Sequence, residues 1–136
     1  MDIKKHISWG QVDDVTEICE PLFNQFDLTY FDYGRLYNDG SVISLYTDRD
    51  FGIYIHNHRE YKFPSTVIKP GVHLWMSYMA NDIIIGAKHE FNHDYLLTIY
   101  TQYDDYCEVY DFATKPHNHK VLELYFNHLD IFELFI

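Results

Sequence analysis

Apolar positions near the two ends of the chain recur every three or four residues, which is the spacing of an amphipathic helix. The first such stretch predicts a helix over residues 11–26, with Ser8 placed to cap its start. Pro21 lies inside this stretch and either kinks the helix or begins a second short one. A second helix is predicted over residues 117–136. The apolar face of the first comprises Val12, Val15, Ile18, Cys19, Leu22, Phe23 and Phe26, and that of the second Val121, Leu122, Leu124, Tyr125, Leu129, Phe132 and Phe135.

Between these helices the pattern changes to the alternation and the β-branched or aromatic composition of strands. Residues 28–37 and 42–47 predict a β-hairpin joined by the turn NDGS at 38–41, where Gly40 is free to adopt a positive φ. Three further strands are predicted over residues 72–79, 95–102 and 106–113, with a short acidic hairpin loop at 103–105 between the last two.

The segments that connect these strands have less regular patterns. Residues 48–61 fit either a short helix capped by Asp48 or a strand, and residues 63–71 read as a connecting loop because they contain two prolines and a glycine. Residues 81–93 read as a connection that could include a short helix. The order of elements predicts one α+β domain over residues 1–136, with an antiparallel sheet of about five strands and the N- and C-terminal helices packed on it. PAS and GAF sensor domains have this architecture.

The charge of the chain restricts the partners that it can have. Its 136 residues include 21 acidic and 10 basic residues, for a formal net charge of −11. This field repels phosphate backbones, so we expect no direct binding of nucleic acid by this chain. Residues 1–11 show no apolar signal region, and no apolar run approaches the roughly 20 residues that a membrane span needs. We therefore expect a cytoplasmic protein that does not bind membranes.

Cysteine and histidine residues are the first candidates for reactive chemistry. Cys19 and Cys107 form no C-x-x-C pair, which favours a reducing compartment and a packing role over a disulfide or a catalytic thiol. Two HNH triplets, at residues 56–58 and 117–119, place histidines two positions apart, so that on a strand each pair would form half of a metal site. Exposed loop histidines are the favoured interpretation of both triplets.

Residues 89–93 read HEFNH and match the H-E-x-x-H pattern of zinc proteases. That chemistry needs both histidines on one face of a helix, a glutamate that activates the bound water, and a third protein ligand. Strand-like residues follow the motif at once, and His117, His119, Glu123 and His128 fit no recognised ligand spacing. We therefore interpret the motif as a loop or short helix with surface histidines, and His89 and His93 as a disfavoured metal pair. We expect no metal, no cofactor and no enzymatic activity, and a His93→Ala change that affects neither the fold nor a ligand response.

Several stretches together resemble the N-terminal sensory domain of bacterial LuxR-type transcriptional regulators. They are LTYFDYGRLYNDGS at 28–41, GVHLW at 71–75, LLTIYTQYDDYCEVYDFAT at 96–114 and LYFNHLDIFELFI at 124–136. The resemblance implies a PAS-like fold and a domain that senses a small molecule or mediates dimerisation. In such regulators the final helix continues toward a DNA-binding helix-turn-helix. No basic recognition helix is present here, so the helix at 117–136 is expected to be truncated or dimerising.

Two main functions and one disfavoured function compete at this point. A ligand-sensing domain would use inward-facing aromatic residues of the sheet, for which the candidates are Tyr30, Tyr33, Trp75, Tyr78, Tyr100 and Tyr110. In acyl-homoserine-lactone receptors spaced Trp and Tyr residues act with an Asp, and Trp75, Tyr78 and Asp82 offer similar chemistry. A homodimerisation module without a ligand would instead pair the C-terminal helix with its copy through Leu122, Tyr125, Leu129 and Phe132. The third function is a zinc hydrolase centred on the HEFNH motif.

Overall fold

The computed structural model describes residues 12–59 and 61–127, with the side chain at position 12 left out. The helices are α1 (Val12–Phe26), α2 (Arg49–Asn57), α3 (Asn81–Phe91) and α4 (Val121–Asn127). The strands are β1 (Leu28–Tyr37), β2 (Val42–Tyr46), β3 (Gly71–Leu74), β4 (Asp94–Gln102) and β5 (Tyr106–Thr114). Two short 3-10 turns lie at Pro64–Thr66 and Trp75–Ser77. No helix within the described ranges is long and apolar enough to cross a membrane.

The five strands form one antiparallel sheet in the order β2-β1-β5-β4-β3. The predicted hairpin pairs β1 with β2, and the second predicted hairpin pairs β4 with β5. The α+β class and the five-stranded antiparallel sheet are therefore confirmed. The long strand β5 lies at the centre, between β1 and β4. Both of its faces are covered by other parts of the chain.

Local sequence accounts for the first two helices. α1 continues through Pro21 as a single helix, so neither a second helix nor a break begins there. The ambiguous segment after β2 is helical, because the Asp48 side chain accepts a hydrogen bond from the Phe51 backbone N–H (3.1 Å) and caps α2. Phe51 and Ile55 then lie one turn apart and are both buried against the sheet. This burial outweighs the strand preference of the residues between them.

Two predicted boundaries are wrong. The third strand ends at Leu74 instead of continuing to residue 79, because the chain turns at Trp75–Ser77 and the Ser77 hydroxyl donates to the Leu74 carbonyl (2.6 Å). The last helix begins at Val121 instead of residue 117, and His117 before it has a left-handed φ of 67°. The rest of that predicted helix, residues 128–136, and the predicted cap Ser8 lie outside the described residues.

Each face of the sheet carries its own apolar cluster, because alternate side chains of a strand point to opposite faces. On the first face, side chains of α1 and α4 pack with the sheet: Val15, Cys19, Leu22, Phe26, Val121 and Tyr125 with Leu28, Phe31, Leu97, Ile99 and Phe112. On the second face, α2, α3 and the Trp75 turn pack with the sheet: Phe51, Ile55, Trp75, Met79, Ile83 and Ala87 with Tyr30, Tyr46, Leu96 and Ala113.

Candidate functional site

Two aspartates face each other inside the second face of the sheet. Asp32 of β1 pairs in register with Asp111 of β5, and each side chain is only about one-twentieth exposed. Both strands place the aspartate in an alternating series of otherwise apolar or small residues that point inward. Two carboxyl groups in this position are unusual, because buried acids are rare unless they are paired and hydrogen-bonded.

Hydrogen bonds from three sides surround this pair. The Asp111 carboxyl accepts from the Trp75 indole N–H (3.2 Å) and from the Thr98 hydroxyl. The indole N–H also lies 2.8 Å from the Thr98 hydroxyl, which forms a further hydrogen bond of 2.6 Å with the Tyr78 hydroxyl. The Tyr78 hydroxyl, the Thr98 hydroxyl and the Trp75 indole thus form a hydrogen-bonded network that ends at the Asp111 carboxyl.

The surroundings of the two carboxyl groups raise the pKa of both. Burial, followed by the charge and hydrogen bond of Asp111, raises the pKa of Asp32 well above its usual value. Burial also raises the pKa of Asp111, but hydrogen bonds from Asp32, Thr98 and Trp75 oppose that rise. Both pKa values are raised, so the pair retains a shared proton at pH values at which an exposed aspartate is ionised. On its other side Asp32 accepts from the Tyr30 hydroxyl (2.5 Å).

A small polar cavity lies beside the pair. Its volume is about 20 Å³, which is room for one group the size of a water molecule. The lining consists of Asp32, Tyr33, Gly34, Ser44, Tyr46, His56, Tyr61, Phe63, Val109 and Asp111. The Tyr46 hydroxyl is hydrogen-bonded to His56 Nε2, and the His56 ring contacts the Tyr61 ring edge to face at 5.0 Å. The cavity is thus bounded by β1, β2, β5, α2 and the segment that follows α2.

The tyrosine hydroxyls around the cavity are fixed in their protonated form. Burial and then the charge of Asp32 raise the pKa of Tyr46, and burial and then the charge of Asp111 raise the pKa of Tyr61. Burial and the charge of Asp111 do the same for Tyr78. These hydroxyls can therefore donate or accept hydrogen bonds at any physiological pH, whereas the carboxyl pair carries the negative charge of the site.

Two larger grooves lie on the surface of the described residues. One of about 560 Å³ runs along α1 and the start of β1, and one of about 300 Å³ lies near the β1–β2 turn. The polar residues that line the first groove are exposed or half-buried, and neither groove is lined by a buried carboxyl pair, so the cavity at Asp32 and Asp111 is the stronger candidate site.

The six predicted ligand-lining aromatics do not form one pocket. Tyr30, Trp75 and Tyr78 surround the aspartate pair as described above. Tyr100 lies on the same face but packs in a separate small cluster with Cys107 and Val109. Tyr33 and Tyr110 point to the opposite face and belong to a different network.

That opposite network is built on an ion pair on the face of the sheet that also carries α1 and α4. The Arg35 guanidinium lies 3.5 Å from Glu108 and donates to the Tyr33 hydroxyl (2.8 Å), while the Tyr110 hydroxyl donates to Glu108 (2.7 Å). Arg35 also lies over the Tyr106 ring at 4.4 Å. Burial, followed by hydrogen bonding to Glu108, raises the pKa of Tyr33 to about 12. We assign the hydroxyls of Tyr33 and Tyr110 to this network on the opposite face, although Tyr33 also borders the cavity.

The HEFNH motif is divided between a helix and a loop. α3 ends at Phe91, Asn92 adopts a left-handed conformation (φ 58°), and His93 follows it. His89 is exposed, whereas His93 is 4% exposed and both of its ring nitrogens are bonded, Nδ1 to the Thr29 hydroxyl (2.9 Å) and Nε2 to Asp48 (2.8 Å). The prediction of surface histidines is therefore wrong for His93. The zinc-protease geometry is not formed by these residues.

The other histidines and the cysteines also have defined surroundings. His56 lies on α2, is half-buried and bonds Tyr46, so the prediction of an exposed loop histidine is wrong there. The exposed His119 bonds the Tyr95 hydroxyl (2.5 Å). Among the residues that the structure describes, no group of three or more His, Cys, Asp or Glu side chains is placed to hold a metal ion. Cys19 and Cys107 are free and buried, in agreement with a packing role.

The four residues predicted to form a dimer interface are not all accessible to a second chain. Tyr125 is 1% exposed and packs in the core of its own chain, so its side chain is not free to contact a second copy. Leu122 is half-buried, and Leu129 and Phe132 lie outside the described residues. Asp82, the third residue of the receptor-like set, is exposed in the first turn of α3, so its carboxylate lies outside the buried site.

Neither aspartate of the site was predicted from the sequence. A usable signal was present, since Asp32 and Asp111 each occupy a strand position whose neighbours two residues away are Tyr30, Gly34, Val109 and Ala113. An acid at an inward position of a buried strand predicts a polar site inside the core.

Comparisons with protein-family models, with curated proteins and with solved structures find no match for this chain. The interpretation of its function therefore depends on the site itself.

Proposed function

We propose that the chain is a small-molecule-sensing regulatory domain of PAS/GAF-like type, similar to the sensor part of a LuxR-type regulator. The observation that carries this proposal is the cavity beside the buried Asp32–Asp111 pair. Ionisable groups with strongly shifted pKa values beside a cavity are typical of binding sites, because burying them costs free energy that packing alone would avoid.

The position of the site supports a sensor more than a packed core. It lies between the sheet and α2, on the face that α2, α3 and the Trp75 turn cover. Tyr30 and Trp75, which the sequence indicated as ligand-lining residues, bond to the two aspartates, and Tyr78 bonds to Thr98 beside them. Of the six predicted aromatics, Tyr33 borders the cavity itself. A ligand at this point would contact strands and a helix at once, as binding pockets of sheet-and-helix domains generally do.

Signal transmission would use the two faces of β5. Asp111 points into the site, and its neighbour Phe112 points to the opposite face, where it packs in the cluster that includes Val121 and Tyr125 of α4. A ligand that repositions Asp111 would therefore favour one packing of α4 over another. In a regulator of this type the helix after β5 is the connection to a dimer partner or an effector domain.

Native mass spectrometry of the purified protein tests this function. We expect a retained or added small mass on the unaltered chain, and its loss in the Asp111→Asn variant. Glu108→Gln is the matched control, because it removes an equal charge from the same strand on the opposite face. Absence of any bound small molecule after exposure to a metabolite extract, or equal binding by Asp111→Asn, would contradict the proposal.

Exposed apolar residues favour a second candidate, a homodimerisation module that needs no ligand. Ile18 on α1 and Phe126 on α4 are 70% and 67% exposed, and large exposed apolar side chains on helices often mark interaction surfaces. This candidate predicts a dimer that the Phe126→Glu substitution converts to a monomer. Light scattering after size-exclusion chromatography measures this. A dimer that binds nothing would favour this candidate over the sensor.

A further inference from the structure

We propose that the site binds the ammonium group of a small primary amine, which takes the place of the proton shared by Asp32 and Asp111. The proposal rests on the ligand-sensing function proposed above and names the chemical class of the ligand.

The size of the cavity restricts what can enter it. A volume of about 20 Å³ accepts one group the size of water, so only a terminal group of a ligand fits beside the carboxyls. An ammonium group has that size. The remainder of the ligand would lie toward Tyr61 and Phe63, the half-buried lining residues of the segment after α2.

The chemistry of the lining selects a cation. An ammonium group donates three hydrogen bonds and accepts none, and it would meet oxygen acceptors from Asp32, Asp111 and Ser44. A carboxylate or phosphate ligand would instead meet a buried negative charge and be repelled. The tyrosine and phenylalanine rings of the lining add faces that attract cations. One oxygen of each aspartate is not bonded to Tyr30, Thr98 or Trp75, and these two oxygens remain to accept hydrogen bonds from the ligand.

Tyr61 provides an independent observation. Its ring lies against His56, and its hydroxyl experiences the charges of Asp111 and Asp32. That hydroxyl forms no hydrogen bond to another described side chain, although the other tyrosine hydroxyls of the site, those of Tyr30, Tyr46 and Tyr78, are bonded. This hydroxyl is not among the fully buried unpaired groups of the described residues, so it can exchange a hydrogen bond with solvent for one with a ligand.

Charge balance gives the binding a measurable signature. The empty pair holds one proton and carries one negative charge. An arriving ammonium ion stabilises both carboxylates, and the shared proton then leaves to the solvent, so that the occupied site keeps the single negative charge of the empty one. Binding near neutral pH should therefore release close to one proton per amine.

The test uses butylammonium, butanol and butyrate, which share one alkyl chain and differ in the head group. We expect butylammonium chloride at millimolar concentration to raise the Tm above the value in equal sodium chloride, whereas butanol and sodium butyrate do not. Calorimetric titrations in two buffers of different ionisation enthalpy should show the released proton. Asp32→Asn and Asp111→Asn should lose the Tm rise, and Glu108→Gln should keep it.

The outcomes separate the two proposals. If butanol or butyrate raises the Tm and Asp111→Asn abolishes the rise, the ammonium assignment is wrong but ligand sensing at this site stands. If butylammonium acts no more strongly than sodium chloride and no small mass is retained in native mass spectrometry, both are wrong. Far-UV circular dichroism of each aspartate variant is recorded first, to separate loss of binding from loss of the fold. Tyr61→Phe provides a second variant that should weaken amine binding without altering the fold.

Discussion

The sequence interpretation of the HEFNH motif makes His93 a surface residue, whereas the structure makes it a buried, hydrogen-bonded one. The substitution His93→Ala distinguishes these two roles. The substitution removes hydrogen bonds to Thr29 and to the Asp48 carboxylate. It also removes an edge-to-face contact with the Phe51 ring at 4.8 Å and a tilted contact with the Tyr30 ring at 5.0 Å. A buried side chain that joins β1, α2 and the loop after α3 is lost.

The magnitude follows from these contacts. A hydrogen bond to a charged group contributes about 1.5–3 kcal/mol and a neutral one about 1 kcal/mol. Contact of an aromatic ring with its neighbours adds about 0.5–1.5 kcal/mol. Because the Asp48 side chain is 31% exposed and regains some hydration, the lower part of the range applies, and we expect a loss of about 3 kcal/mol in the free energy of unfolding.

Urea unfolding followed by far-UV circular dichroism measures this loss, and the HEFNH motif supplies its own control. His89→Ala changes an exposed residue of the same motif and should alter the free energy of unfolding by no more than about 0.5 kcal/mol. An unchanged slope with denaturant would show that the two variants are compared in the same unfolding reaction. Equal effects of the two substitutions would refute the structural role assigned to His93.

Three further predictions concern other parts of the chain. The proton shared by Asp32 and Asp111 stabilises the fold fully below the ordinary aspartate pKa of about 4, and that stability is lost as pH rises through the raised pKa. Chemical denaturation across pH should therefore show Asp32→Asn gaining stability relative to the unaltered chain as pH increases, and a constant difference would contradict this. Gly86→Ala should destabilise the unaltered chain, because a Cβ there would lie 2.7 Å from Tyr54 Cζ. In a Tyr54→Ala background the same substitution should stabilise the fold by up to about 1 kcal/mol. A double-mutant cycle measures this coupling, and additive effects of the two substitutions would disprove it. Burial raises the pKa of the Cys19 thiol to about 12, and Cys107 is also buried. A thiol reagent should therefore modify neither cysteine in the native protein and both in urea. Fast labelling of the native protein would be inconsistent with the packing described.

The elements that could be predicted are those whose local pattern agrees with their burial. The hairpin of β1 and β2 has a turn sequence that fits its geometry, with Gly40 at φ 89°, and the alternation of β4 and β5 matches their two buried faces. α1 has a continuous apolar face. In each of these, neighbouring residues supply enough information to fix the element.

The boundaries that were wrong depend on contacts between distant residues. Trp75 leaves the predicted strand because its indole N–H bonds Thr98 and Asp111, which lie 23 and 36 residues further along the chain. His93 leaves the surface because Thr29 and Asp48 offer it partners 64 and 45 residues away. The pattern of neighbouring residues does not indicate partners that are this far away along the chain.

The candidate site was predictable only in part for the same reason. Aromatic residues on inward positions indicated Tyr30, Trp75 and Tyr78, but the pairing of Asp32 with Asp111 depends on the register between β1 and β5, which are 79 positions apart in the chain. Composition and periodicity describe each strand alone.

The opposed aspartates also determine how β1 and β5 can be paired. A slip of one residue along β5 would exchange the facing of every side chain on that strand. Asp111 would then be buried among the apolar residues beneath α1, and Phe112 would be pressed against the remaining carboxyl of Asp32. Each of these placements leaves a buried carboxyl group without its partner in the interior, which costs several kcal/mol. The acid pair therefore excludes the misaligned sheet, a role that belongs to folding specificity and persists whether or not a ligand is bound.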